Sequence, residues 1–91
     1  MSKRKIKAVI VDDELHCIEG LESLINKHCP DISVERTYAS SKEGLLGLKQ
    51  YPPDLLFMDV EMPWMNGIEL LTALGNVPFQ VIFTNAHKQY A

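Results

Sequence analysis

Three aspartates follow two short apolar runs of the chain, and this arrangement could bring carboxylates together at one site. Asp12 and Asp13 come directly after IKAVIV at 6–11, and Asp59 lies near the end of LLFMDV at 55–60. Like charges at close range repel, so converging carboxylates favour a bound cation. Mg²⁺ prefers such oxygen ligands, usually one or two carboxylates completed by water and phosphate oxygens. A carboxylate beside the ion could then attack a phosphoryl group and form an aspartyl phosphate.

Helix capping is the alternative explanation of these acids. Asp12 could cap the first helix and Asp59 the turn before the third, because acids favour helix N-termini. For any one acid alone, capping is the simpler explanation. For all three together it is the weaker one, because one acid per helix suffices and Asp13 would be redundant.

The elements that must position the acids alternate between short apolar runs and amphipathic segments. Strands are predicted at 6–11, 33–40, 55–60 and 79–86. Helices are predicted from Leu15 to a stop at Pro30, from a cap at Ser41 to the break at YPPD, around 68–74, and as a first turn at 87–91. Strands separated by helices predict an α/β fold, an open, doubly wound parallel sheet with helices on both faces.

Polar residues that could form a site lie at the carboxyl ends of the first, third and fourth predicted strands. The first strand ends at Asp12 and Asp13, the third at Asp59, and the fourth at Thr84 and Asn85. In open parallel sheets, ligands bind beyond the carboxyl ends of the strands, where the strand order reverses. The sequence therefore predicts one functional site at this edge of the sheet.

Composition excludes several classes of protein. The chain has 91 residues, 46% hydrophobic and 23% charged, with a net charge of −3, which suits one small globular domain. No apolar run approaches the roughly 18 residues of a membrane span, and neither a P-loop nor a G-x-G-x-x-G motif occurs. The basic N-terminal segment at 3–7 has no interleaved aromatic residues and is better explained as a solvated tail than as a nucleic-acid arm. Two cysteines without metal-ligand spacing predict reduced thiols and a cytoplasmic protein.

Three segments, taken in order, resemble the receiver domain of two-component response regulators: VIVDDE at 9–14, LLFMDVEMPWMNGIEL at 55–70 and VIFTNAHKQYA at 81–91. Together they span nearly the whole chain. The ending is similar to receivers that carry a LytTR-type DNA-binding domain. The resemblance implies a flavodoxin-like fold and a phosphoacceptor signalling module in transcription regulation, and not a turnover enzyme.

Carried over by position, the resemblance makes Asp59 the phosphoacceptor, with a histidine kinase as the donor. Asp13 would be the direct Mg²⁺ ligand, and Asp12 would complete the acidic pocket, often through water. Glu61 occupies the position whose backbone carbonyl serves the metal in the family.

The resemblance also assigns roles around these carboxylates. Met62 and Pro63 would shape the turn after the third strand, and Gly67 would let it close by permitting a positive φ. The family places Thr or Ser before the alanine that ends this motif, and its hydroxyl follows the phosphoryl group. Asn85 holds that position here, and Thr84 comes one residue earlier. The Asn amide can still donate a hydrogen bond to phosphate, whereas strand alternation turns Thr84 toward the opposite face.

The family continues with a fourth helix, a fifth strand carrying a lysine, and a fifth helix, none of which the 91 residues contain. The resemblance therefore predicts a receiver domain over residues 1–91 that is cut short after strand four, without a second domain. The uncovered strand edge at 81–83 predicts self-association. DNA would be contacted only through an output domain outside this sequence, and no membrane contact is predicted.

Two other functions stay open. A degenerate receiver would act as a phosphorylation-independent interaction domain, which Asn85 and the short C-terminus favour. A phosphatase of the dehalogenase type would use a D-x-D motif, whereas the two aspartates after strand one are adjacent.

Overall fold

A computed structural model describes residues 5–84, which form four strands and three helices. In chain order the elements are β1 (Ile6–Val11), α1 (Leu15–His28), β2 (Ile32–Tyr38), α2 (Ser41–Gln50), β3 (Leu55–Met58), α3 (Gly67–Leu74) and β4 (Gln80–Phe83). All strand pairs are parallel, and the order across the sheet is β2-β1-β3-β4. The predicted α/β fold, an open sheet of parallel strands, is confirmed.

The core lies on both faces of the sheet, because alternate residues of each strand point to opposite sides. On one face, residues of β1 and β3 pack with α2 and α3: Val9, Val11, Leu56, Met58, Leu48 and Leu70. On the other face, the remaining strand residues pack with α1: Ala8, Ile10, Phe57, Ile18 and Ile25. This two-sided burial explains why the buried parts of the central strands, residues 8–11 and 56–58, are continuously apolar rather than alternating.

Helix ends differ in detail from the predicted ones. Ser40, rather than Ser41, caps α2, and its hydroxyl accepts the backbone N–H of Glu43 at 3.1 Å. Asn66 caps α3 in a reciprocal capping box with Glu69. Capping of α1 by Asp12 is wrong, because the N-cap of α1 is Glu14. Asp59 does not cap α3, whose N-cap is Asn66, but its Oδ1 accepts the Glu61 N–H at 3.2 Å in the turn before that helix, as the capping alternative predicted.

The carboxyl edge of the sheet continues beyond the strands through backbone hydrogen bonds. The Asp12 N–H donates to the Tyr38 carbonyl at 3.1 Å, and the Asp59 N–H donates to the Val11 carbonyl at 3.0 Å. The order reverses at β1 and β3, since β2 lies on one side of β1 and β3 on the other. The two central strands therefore deliver their terminal aspartates to the place where this fold forms sites.

No helix within residues 5–84 is both long and apolar enough to cross a membrane.

Candidate functional site

The structure brings Asp12, Asp13 and Asp59 together. Each offers one carboxylate oxygen, and these three atoms lie within 4.8 Å of one another. Asp12 is 7% exposed and Asp59 only 2%, whereas Asp13 is half-buried. Burial removes water from charged carboxylates and like charges repel, so a cation bound among the three would stabilise their ionised forms.

The hydrogen bonds of the cluster leave one oxygen without a donor. Asp12 Oδ1 accepts the backbone N–H of Glu14 at 2.9 Å, and Asp59 Oδ1 accepts that of Glu61 at 3.2 Å. Asp13 Oδ1 is buried and has no hydrogen-bond partner. A buried polar atom without a partner is costly, and a cation among the three carboxylates would satisfy it. The all-oxygen donor set fits a hard divalent ion such as Mg²⁺.

The two ends of the segment between β3 and α3 are joined by a close approach of backbone to backbone. The Gly67 N–H donates to the Val60 carbonyl at 2.7 Å. A Cβ atom added to Gly67 would lie 2.8 Å from the carbonyl oxygen of Asp59. The predicted reason for this glycine is wrong, since the described residues with positive φ are Trp64 and Gly75. Gly67 is needed for the close approach.

Trp64 carries the unusual backbone conformation of this segment, with φ of 72°. The Met65 N–H donates to the Pro63 carbonyl at 2.8 Å, which closes a three-residue γ-turn around Trp64. The hydroxyl of buried Ser41 donates to the same carbonyl at 3.1 Å. A bulky residue at positive φ costs on the order of 1–3 kcal/mol and persists only where its surroundings hold it. We attribute the stability of this conformation to the Pro63 carbonyl, which accepts hydrogen bonds from both Met65 and Ser41.

A cavity of about 500 Å³ is lined by this turn and by the start of α2, and it adjoins the acidic cluster at Asp13. We call it the Trp64 cavity; its lining comprises Asp13, Ala39, Ser40, Ser41, Lys42, Pro63 and Trp64. Sequence reasoning missed Ser41 and Lys42 here, because only the packing of α2 against the β3–α3 segment brings them to the site.

Comparison with known proteins assigns the chain to a family. The family model of the response regulator receiver domain matches residues 8–91. This chain belongs to the response regulator receiver family. The receiver is 36% identical over 88 residues to a response regulatory protein of Vibrio cholerae serotype O1, covering 94% of this chain and 36% of that protein. It is 32% identical over 88 residues to the transcriptional regulatory protein BtsR of Escherichia coli K12, with the same coverages. The chain thus spans about a third of the length of these relatives.

Solved receiver structures share the fold. The response regulator domain of Thermotoga maritima CheB matches with a TM-score of 0.75 and 31% identity, over 88% of this chain and 60% of that one. The signal receiver domain of NarL from Mycobacterium tuberculosis matches with a TM-score of 0.84 and 24% identity, over 94% of this chain and 70% of that one. The flavodoxin-like receiver fold predicted from the sequence is therefore confirmed, and the receiver is a signalling module of two-component systems.

The other predicted residues of the receiver site lie around the cluster. Met62 is 8% exposed and packs in the core, and Pro63 and Glu61 are exposed. The Thr84 N–H donates to the Met58 carbonyl at 2.9 Å, which keeps Thr84 at the carboxyl edge. Asn85, the predicted contact to a phosphoryl group, lies outside the described residues.

Proposed function

We propose that residues 1–91 form a phosphoacceptor module that takes a phosphoryl group from a histidine kinase onto Asp59 with Mg²⁺. Phosphorylation would switch an output carried elsewhere in the parent protein. The observation that supports this proposal is the position of Asp59, 2% exposed at the end of β3 and within 4.8 Å of two further carboxylates. The receiver itself transfers the group only to its own side chain, so we propose no turnover activity for it.

The geometry suggests how each residue contributes. Asp13 and Asp12 would hold the ion, with the backbone carbonyl of Glu61 as a further ligand. Bound Mg²⁺ would neutralise charge on the oxygens of the transferring phosphoryl group. The Glu61 N–H at Asp59 Oδ1 orients the carboxylate. An oxygen of Asp59 then forms the new bond to phosphorus as the bond to the donor nitrogen breaks.

The test is to mix the full-length protein with phosphoramidate and Mg²⁺ and to follow its intact mass. We expect one phosphate adduct that depends on Mg²⁺. Failure of the wild-type protein to gain phosphate would contradict the proposal. It would favour the alternative, a phosphorylation-independent interaction domain, which Asn85 in the place of a hydroxyl residue supports.

Mg²⁺ is expected to raise the thermal stability of the wild-type protein, because a ligand that binds only the folded state stabilises it. The gain is about 2.7 kcal/mol when the ion is at 100 times its Kd. The Asp13→Ala variant should lose most of this gain. Without Mg²⁺ it should be at least as stable as wild type, since one like charge and an unpaired buried oxygen are removed.

Thermal melts with and without Mg²⁺ measure these differences. Glu19→Ala, an exposed acid on α1, is the matched control and should keep the full Mg²⁺ gain. A wild-type melting temperature that Mg²⁺ does not change would contradict a metal site at the cluster. So would an Asp13→Ala variant that Mg²⁺ stabilises as much as it stabilises the wild type.

Self-association is proposed through the outer edge of β4. Within the described sheet β4 pairs only with β3, and the Gln80 and Thr84 N–H groups point to that partner. By the alternation of a parallel ladder, the backbone groups of Val81 and Phe83 point outward. Ile82 and Phe83 are 47% and 40% exposed. Such an apolar edge recruits a further strand.

We therefore expect the 91-residue chain to exceed the monomer mass in light scattering or to lose cooperative folding. Ile82→Lys should reduce association, because charge on an edge strand opposes pairing. Thr37→Lys, on exposed β2 at the other edge, should leave it unchanged. A monodisperse wild-type monomer with a sharp melt would show that this edge does not drive association.

The output and its partners are proposed from the relatives. A relative is named a transcriptional regulatory protein, and this chain covers 36% of it. We propose that DNA is contacted by an output domain of the LytTR type outside these residues. A cytoplasmic location agrees with two cysteines that form no disulfide, Cys17 and Cys29.

A further inference from the structure

The Trp64 cavity shares one wall with the acidic cluster. Asp13 belongs to both, and its carboxylate lies within 4.8 Å of the one on Asp59. A donor whose phosphorus reaches Asp59 could therefore place the rest of its structure in the cavity. The size of the cavity, about 500 Å³, is ample for a five-membered ring.

The indole at the cavity is exposed, and the backbone that carries it is held in place. Trp64 is 67% exposed, although its side chain is the largest in the segment. Its backbone has φ of 72°, and the Pro63 carbonyl that closes the turn accepts hydrogen bonds from both Met65 and Ser41. Ser41 is 2% exposed, so this anchor belongs to the packed interior. An exposed aromatic ring on a backbone that a buried anchor fixes is suited to binding.

We infer that the Trp64 cavity receives the leaving group of the phosphodonor, a planar imidazole, and that Trp64 determines specificity for it. The inference rests on the proposed function, since it names the donor side of the same reaction. An indole face attracts planar rings in stacked or edge-on contact and attracts cations most strongly among the aromatic side chains. The ring of a protonated N-phosphorylated imidazole is planar and carries a positive charge.

The transfer balances without a further reactant. The P–N bond of the protonated phosphoimidazole breaks, and its electron pair stays on nitrogen, which leaves as neutral imidazole. A carboxylate oxygen of Asp59 forms the new P–O bond. Trp64 takes no part in bond making and contacts only the departing ring, so its effect depends on which donor is used.

The test compares two small donors on the full-length protein with Mg²⁺. Monophosphoimidazole releases a ring, whereas phosphoramidate also breaks a P–N bond but releases ammonia. Second-order rate constants are measured by intact mass for the wild type and for Trp64→Ala, Trp64→Gly and Trp64→Phe. Glycine accepts a positive φ without strain, so Trp64→Gly removes the indole without a new backbone conflict.

We expect Trp64→Ala and Trp64→Gly to lower the rate constant for monophosphoimidazole by about three- to tenfold, the size of an aromatic or cation–π contact. The rate constant for phosphoramidate should change less than about twofold by the same reasoning, because ammonia has no ring to stack. Trp64→Phe should keep most of the preference. Tyr51→Ala, which removes an exposed aromatic residue after α2 that contacts Arg36, should alter neither rate constant.

Equal losses with both donors, or no loss with either, would overturn the inference while leaving phosphorylation of Asp59 intact. A wild-type protein that gains phosphate from neither donor would instead refute the proposed function and this inference with it.

Discussion

Replacing Asp59 with asparagine is expected to abolish the phosphate adduct completely. An amide lacks the carboxylate oxygen that would form the bond to phosphorus, so no slower version of the same reaction remains. The substitution nearly preserves shape, and Asn Oδ1 can still accept the Glu61 N–H that Asp59 Oδ1 accepts at 3.2 Å. Loss of the adduct would therefore report lost chemistry rather than a lost fold.

The measurement is the intact mass of Asp59→Asn after treatment with phosphoramidate and Mg²⁺, beside its thermal melt. Asp54→Asn is the matched control, because Asp54 is exposed, precedes the same strand and accepts the Lys7 N–H at 2.9 Å. It should gain phosphate as wild type does. An adduct that survives in Asp59→Asn would place the acceptor elsewhere and contradict the proposal.

The alternation of strands and helices was predictable because it depends on local patterns. IKAVIV is apolar from Ala8 onward, where the strand is buried on both faces, and Lys7 lies in its exposed start. α1 shows the three-and-four spacing of one buried stripe. The ends were less predictable. Strand three was predicted to reach residue 60 but ends at Met58, where the chain leaves the ladder to place Asp59. Nothing in the residue type of Met58 indicates that the strand ends there.

The cluster of aspartates could be predicted because topology alone brings it together. The carboxyl ends of adjacent parallel strands meet at one edge, so Asp12, Asp13 and Asp59 had to converge if β1 and β3 paired. The contact of Ser41 with Pro63 could not be predicted in this way. It spans 22 residues and depends on how α2 packs against the segment after β3.

The backbone of the segment between β3 and α3 shows a second limit of prediction from sequence. An Asn-Gly pair commonly signals a turn with positive φ at glycine, and this signal led to the wrong reason for Gly67. The positive φ falls on Trp64, a residue type for which sequence gives no such expectation. Glycine is required at position 67 because a side chain there would collide with the backbone at Asp59. Only the three-dimensional approach of α3 to the end of β3 reveals this requirement.

Gly67→Ala is accordingly expected to lower the free energy of unfolding by about 1–3 kcal/mol, the usual cost of overpacking. The new Cβ would lie 2.8 Å from the Asp59 carbonyl and 3.2 Å from the Val60 Cα, backbone atoms that cannot rotate away. Relief requires that α3 and the end of β3 move apart. Since Asp59 lies at that point, we also expect slower phosphorylation by phosphoramidate. Denaturant unfolding and intact mass measure the two effects.

Gly20→Ala is the matched control and should change stability in the opposite direction. Gly20 lies within α1, and a Cβ there would meet nothing within 4 Å. Alanine in a helix interior is favoured over glycine by about 0.5–1 kcal/mol, so this variant should gain stability and keep the wild-type phosphorylation rate. If Gly67→Ala were as stable and as readily phosphorylated as Gly20→Ala, the close approach of α3 to Asp59 would not constrain the site.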